Sequence, residues 1–411
     1  MKKKFYFTMI LSMALCVACQ NENENNEPTP LPDAKPVAVH IRQKITTDNA
    51  FAFDIFKATC ADSKDANIFI SPLSISMAFN MVLNGAKGAT SDEILETLRA
   101  KDYTVSDINE HSRLLRSELT GVDPSTQLSI ANSIWYRQDL PVKNAFLEVN
   151  RTNYAAEVSA LDFSSPDAIK QINNWCARQT GDKIKSIVDN ISSETAMWLI
   201  NAVYFKGIWT SKFDKNNTRK EDFYTSDGKT NQVQMMRQTA SFKYGADEYG
   251  EYLELPYGNQ AFSMILLLPG EDRTAEDMVE RLNSDRWNRT VESMSGREVN
   301  LSLPRFKVEC KYEMHENILP ELGMRIPFTR YADFGNISEV ALFISQVIHK
   351  TFIEVNEEGT EAAAVTGISM GFTSAGPSQT IDFIVNKPFV FAISEKSSGV
   401  ILFMGKIGEI D

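Results

Sequence analysis

The chain has 411 residues, 43% of them hydrophobic and 23% charged, with a formal net charge of −12. That balance suits a soluble globular protein. It excludes nucleic-acid binding by bulk charge, because no basic run offsets the acidity.

Chain order begins with a targeting pattern. Lys2, Lys3 and Lys4 form a positive start, and Phe5 to Val17 is an apolar stretch too short to span a bilayer. It ends in Cys16-Val17-Ala18-Cys19. This resembles a bacterial lipoprotein signal, with cleavage after Ala18 and acylation of Cys19. Cys16 departs from the usual leucine, and an ordinary secretory signal is the alternative. Residues 1–18 are therefore expected to be a signal peptide. Residues 19–40 are rich in Asn, Glu and Pro, cannot bury a core, and are expected to be an extended tether. The acidic residues after Cys19 resemble the export signal of surface lipoproteins in Bacteroidetes. The expected location is the outer membrane, exposed at the cell surface, with a periplasmic or secreted protein as the alternative.

From 41 to 411 the composition stays globular, with no second linker and no internal repeat, so one large domain is expected. Asp48 is expected to cap a helix carrying Phe51, Ile55 and Phe56. Ser71-Pro72 opens a second helix that closes at Gly85. Thr90 to Leu98 and Asp107 to Leu119 read as short helices, and Pro166 to Arg178 as an amphipathic one. Strands follow: Leu199 to Phe205, Tyr252 to Leu255, Phe262 to Pro269, Glu298 to Val308, Leu342 to Val355, Phe383 to Val385, Phe389 to Ile393 and Val400 to Gly405. Helices first and strands later predict an α+β protein with mainly antiparallel sheet. Cys60, Cys176 and Cys310 lack paired spacings and read as unpaired, buried thiols.

The segment from Glu357 to Thr366 (EEGTEAAAVT) is unusual. A strand pattern from His349 to Val355 runs into Gly359 and then into small residues. Every second residue from Thr360 is uncharged: Thr360, Ala362, Ala364, Thr366, Ile368, Met370 and Phe372. Period two marks a strand with one buried face. The glycines argue against a permanent strand, and composition alone favours a small-residue surface loop.

Enzymatic readings fail on inventory. The histidines are His40, His111, His315 and His349, and none stands in a metal motif, a nucleophile elbow or a Cys/His pairing. No phosphate loop or dinucleotide fingerprint is present. No cofactor or metal is expected.

Five motifs stand in order: Asn67 to Ile75 (NIFISPLSI), Asn84 to Ile94 (NGAKGATSDEI), Leu199 to Trp209 (LINAVYFKGIW), the Glu357–Thr366 segment, and Phe383 to Ile393 (FIVNKPFVFAI). Together they resemble the serpins over about residues 45–411. The resemblance implies three mainly antiparallel sheets, eight or nine helices and an exposed reactive-centre loop at about 357–382. It implies a suicide-substrate inhibitor of serine endopeptidases, monomeric, that traps the acyl-enzyme by inserting its cleaved loop into the central sheet. Glu357, Glu358, Gly359, Thr360, Glu361, Ala362, Ala363, Ala364, Val365 and Thr366 would be the hinge. Ser71, Ser74, Asn201 and His349 match the polar shutter beneath the sheet. Trp209, with the Arg305–Glu357 pair, matches the breach at its top. Counting from Gly359 places the scissile bond at Thr373-Ser374, with Phe372 and Met370 as alternative specificity residues; counting back from Asn386 points nearer Pro377. With no Arg or Lys there, elastase-like, chymotrypsin-like or subtilisin-like proteases are the expected targets, and papain-like cysteine proteases a further class. The competing reading is a non-inhibitory member acting as a surface binding protein or a protease substrate.

Overall fold

A computed structural model describes residues 39–360 and 380–411, together with Asp33 and Pro36. The first helix, α1 (Val39–Asp62), starts nine residues before Asp48, so Asp48 is not its cap. It sits mid-helix because its carboxylate has better partners: the Lys44 ammonium one turn back and His111 Nε2 at 2.8 Å. Helix α2 (Pro72–Leu83) follows the sequence reading. Ser71 is its N-cap and accepts from Ser74 N, and Pro72 occupies a position whose N–H has no intrahelical partner.

Fifteen strands are described. They are β1 (Ile68–Ile70), β2 (Gln127–Arg137), β3 (Glu157–Leu161), β4 (Met197–Ile208), β5 (Arg219–Tyr224), β6 (Thr230–Asp247), β7 (Gly250–Tyr257), β8 (Phe262–Pro269), β9 (Ser295–Pro304), β10 (Phe306–Glu313), β11 (Ile348–Asn356), β12 (Gly359–Thr360), β13 (Ile381–Ile384), β14 (Phe389–Glu395) and β15 (Ile401–Ile407). The central sheet runs β10-β11-β12-β4-β2-β3. The remaining strands form a continuous path, β1-β15-β14-β8-β7-β6-β9-β13, with β5 on β6. Strand β6 belongs to two sheets along that path. Residues 230–244 pair with β5 and β9, and residues 243–247 with β7. Pairing is antiparallel except at β13/β9 and β2/β3. With nine α-helices among the described residues, this is the expected α+β architecture of three sheets.

Several expected elements change. The predicted strand Glu298 to Val308 is two strands in different sheets, because Pro304 lacks an N–H and the chain turns there. The strand expected from Leu342 begins only at Ile348, and residues 342–347 line a cavity instead. Strands β2 and β3 lie within the half that reads as helical.

Alternation along the central strands sorts side chains into two cores. Trp198, Ile200 and Ala202 of β4 join Trp135 of β2 beneath the helix Pro166–Gln179, where Trp175 meets Trp135 edge-on at 6.2 Å. Leu199, Val203 and Phe205 face the larger core with Leu128, Ile130 and Ile134. A period of two does this automatically. Cys60, Cys176 and Cys310 are free thiols; Cys176 and Cys310 are buried and Cys60 is half-buried. Burial pushes the Cys60 and Cys176 thiols up to about 12.

Candidate functional site

Strand β12 is two residues long and sits between β11 and β4. Gly359 pairs with Asn356 on one side and Ile208 on the other, and Thr360 pairs with Val355 and Gly207. Among the described residues β11 and β4 are not direct neighbours; only β12 joins them. Where the Glu357–Thr366 segment begins, β12 is thus the link between β11 and β4 among the described residues.

Gly359 fits this position for two reasons. Its φ of +151° lies where residues with a Cβ are strained, and a Cβ would stand 2.1 Å from Gly207 O. Thr360 is 3% exposed and its hydroxyl lies 2.6 Å from Tyr257 Oη. Tyr257 is fully buried, which raises its phenol well above the ordinary range. Its ring stacks on Trp209 at 4.4 Å and meets Phe205 edge-on at 5.0 Å. Tyr257 lies between the expected strands Tyr252 to Leu255 and Phe262 to Pro269, in no motif of its own, so its role on the hinge threonine is not legible in the sequence.

Trp209 ties down the approach to the hinge. Its Nε1 donates to Asn356 O and its backbone N to Glu358 O, both at 2.9 Å. Phe213 N donates to Glu357 O at 3.1 Å. Two separate charge clamps hold the next two side chains. Glu357 is 1% exposed and accepts from Arg305 Nε at 2.8 Å, from Arg305 Nη2 and from Thr218 Oγ1. Burial alone would raise its carboxyl, but these hydrogen bonds outweigh it and keep it below its usual value. Glu358 lies between Lys212 Nζ at 3.0 Å and Lys215 Nζ at 3.1 Å. The Lys212 hydrogen bond leads in holding its carboxyl down, against some desolvation and with help from Lys215. Lys212, Lys215 and Thr218 escape sequence reasoning because they follow Trp209 in a stretch with no pattern of its own.

Further along β4, about 26 Å of strand from Trp209 at roughly 3.3 Å per residue, the structure brings together Ser71, Ser74, Asn201 and His349. His349 is 6% exposed, and its Nε2 accepts the Ser71 backbone N–H at 3.0 Å. Burial pushes this imidazole down to about 3. The ring is thus neutral, with its proton on Nδ1. Ser71 Oγ donates to Leu402 O at 2.8 Å, and Ser74 Oγ donates to Asn201 O at 3.3 Å. Asn201 Nδ2 donates to Asn132 Oδ1 at 2.7 Å, which carries the network across to β2. Asn201 Oδ1 and Trp198 Nε1 are buried with no hydrogen-bond partner among the described residues. Both residues line a cavity of about 170 Å³ between the starts of β4 and β11, floored by α2.

The rest of the expected site lies outside the described residues. That covers Glu361, Ala362, Ala363, Ala364, Val365 and Thr366 of the hinge, Met370, Phe372, Thr373 and Ser374 at the expected bond, and Cys19 at the expected lipid anchor.

Fold and site together define an α+β protein whose central sheet holds a clamped glycine hinge between β11 and β4. The family model for serpins, serine protease inhibitors, matches residues 46–410. The chain belongs to this family. It is 36% identical over 380 residues to Serpin B3 of Homo sapiens, covering 87% of this chain and 96% of that one. It is 34% identical over 381 residues to the leukocyte elastase inhibitor of Bos taurus, covering 89% and 99%. Among solved structures, the native state of the thermophilic serpin Tengpin superposes with a TM-score of 0.82 at 29% identity, covering 93% of this chain and 97% of that one.

Proposed function

We propose that this serpin is a suicide-substrate inhibitor of serine endopeptidases, with elastase-like or chymotrypsin-like and subtilisin-like enzymes as targets. The protease serine attacks the loop carbonyl, in this reading at Thr373, and the Thr373–Ser374 bond breaks to give an acyl-enzyme. The freed loop then extends β12 beyond Thr360, which is already paired in the sheet, and draws the protease along before water releases it.

The observation that carries this reading is β12. Its two residues are paired on both sides between β11 and β4, with the Thr360 side chain buried against Tyr257. Continuing that strand needs alternate side chains that tolerate burial. Ala362, Ala364 and Thr366 are uncharged, and an unpaired buried charge among them would cost several kcal/mol. A relative named as a leukocyte elastase inhibitor, together with the absence of Arg and Lys from 369–375, favours small or apolar specificity residues.

The test mixes the protein with pancreatic elastase, chymotrypsin, subtilisin and papain and resolves the products by denaturing electrophoresis. A detergent-stable equimolar complex is expected with at least one serine protease. Cleavage without any complex would leave a substrate or a binding protein and overturn the reading. Thr360→Arg places a guanidinium against Tyr257, so it should cut complex formation while the loop is still cleaved at the same bond. Unchanged trapping by Thr360→Arg would count against insertion.

We also propose that Cys19 carries a lipid and that residues 19–40 tether the domain to the outer membrane, with the inhibitor facing outward. The lysine start, the short apolar stretch and the Ala18-Cys19 junction support this. Cys19→Ser should move the protein from the membrane fraction to the soluble fraction. Unchanged partitioning would refute the anchor.

A further inference from the structure

Strand β10 ends in a turn that gathers three metal-ligating side chains, opposite the first residue of β11 and far from the hinge. Glu313 closes the strand and pairs with Ile348, and His315 and Glu316 follow in the turn. One ligating atom from each lies within 4.8 Å of the others. Glu313 and Glu316 are exposed and His315 is half-buried. Met314 between them is fully buried and anchors the turn: its backbone N donates to Val347 O, and its O accepts from Leu319 N, both at 2.9 Å. The order Glu-Met-His-Glu matches no metal motif in sequence; the turn is what brings the three ligands together.

Neither Glu313 nor Glu316 has an ion pair among the described residues. The lysines that share this face of β10 and β11 are engaged elsewhere. Lys350 Nζ lies 2.8 Å from Glu309 Oε1, Lys311 Nζ lies 2.6 Å from Asp189 Oδ2, and Lys307 Nζ sits 5.4 Å from the Phe352 ring centroid. His315 is held more firmly than the two carboxylates. Its Nδ1 accepts the Val347 N–H at 3.3 Å, and its ring meets Phe328 edge-on at 6.4 Å.

Two carboxylates this close repel, and a cation set between them removes the repulsion. The imidazole selects the kind of cation. Calcium and magnesium take oxygen ligands, while zinc takes imidazole and carboxylate together. Zinc bonds of about 2.1 Å set tetrahedral ligands roughly 3.4 Å apart, which rotation of the two exposed glutamates can reach. Binding carries one cost. A cation on Nδ1 takes the lone pair that the Val347 N–H uses, and a cation on Nε2 needs the tautomer with its proton on Nδ1. Either way Val347 loses its acceptor, at the residue that leads into β11.

We propose that Glu313, His315 and Glu316 bind one zinc ion, with water in the fourth position, and that loading releases the Val347 N–H from His315. The site lies at the far end of the β10–β11 pair and stands whether or not the chain inhibits a protease.

The experiment takes the whole chain, stripped with EDTA, and titrates it with zinc chloride by calorimetry. Saturable uptake is expected, with affinity about tenfold or more weaker in His315→Gln and in the double variant Glu313→Gln/Glu316→Gln. Thermal unfolding of the metal-free double variant should match the parent, because neither carboxylate makes an ion pair among the described residues. The Val347 amide, followed by NMR in valine-labelled protein, should shift and exchange its hydrogen faster in step with zinc, but not with calcium or magnesium. Equal zinc affinity in the parent and both variants would put the ion elsewhere and overturn the proposal. Calcium or magnesium binding as tightly as zinc would reduce the site to an acidic patch, and an unmoved Val347 amide would remove His315 from it; either result overturns the proposal as well.

Discussion

Acidification from about pH 7.5 to about pH 5 should lower the stability of the folded protein through one imidazole. His349 is buried, and Nε2 accepts the N–H of Ser71, the cap of α2. A protonated ring has no acceptor, so protonation breaks this bond and buries a charge. Burial holds the folded value down to about 3, against 6.5 for a free histidine. The unfolded chain therefore takes up the proton first. Stability from this group is full above about pH 6.5 and falls steadily as the pH drops toward 3. Each pH unit in that window removes about 1.4 kcal/mol, so the loss at about pH 5 is roughly 2 kcal/mol. Urea unfolding followed by tryptophan fluorescence, at both pH values, measures it in the parent and in His349→Gln. Other titrating groups are common to both proteins and cancel in the difference. The parent should lose roughly 2 kcal/mol more than the variant. Equal losses in the two would refute the reasoning, because the pH dependence would then come from elsewhere.

Two further perturbations address the hinge. Tyr257→Phe leaves the Thr360 hydroxyl buried without its partner and should cost about 1–2 kcal/mol in thermal unfolding. Adding Thr360→Val removes the orphaned hydroxyl as well, so a double-mutant cycle should show coupling of about 1 kcal/mol, and strict additivity would argue against the bond. Lys212→Ala and Lys215→Ala both release Glu358, but unequally. The Lys212 side chain is 18% exposed and that of Lys215 62%. Lys212→Ala should cost about 1 kcal/mol in urea unfolding, and Lys215→Ala less than about 0.5 kcal/mol, because the more exposed pair is screened by water. A ranking in the opposite order would show that exposure does not govern the clamp.

Much of the fold was legible because it depends on local chemistry. Ser71-Pro72 reads as a helix start, since a capping hydroxyl and a residue lacking N–H belong there wherever the helix packs. His349 to Val355 reads as a strand because its side chains alternate, and β11 buries every second one. Asp48 was misread because the same residue that caps helices also forms buried ion pairs, and Lys44 and His111 were waiting in space. The split at Pro304 was hidden because apolar alternation continues across it, although the two halves join different sheets.

By itself the sequence determined the class of the protein, several of its helices and strands, and the small-residue run that begins at Gly359. These rest on periodicity, caps and glycine, all of which act within a few residues. Tertiary structure alone decided what holds that run at its start. Tyr257 under Thr360, the lysine pair on Glu358 and Thr218 on Glu357 join residues far apart in the chain. Hydrogen bonds and ion pairs act over a few ångströms of space, whatever the separation along the chain. Only the folded sheet, bringing β4, β7, β10 and β11 to one edge, makes those distances short.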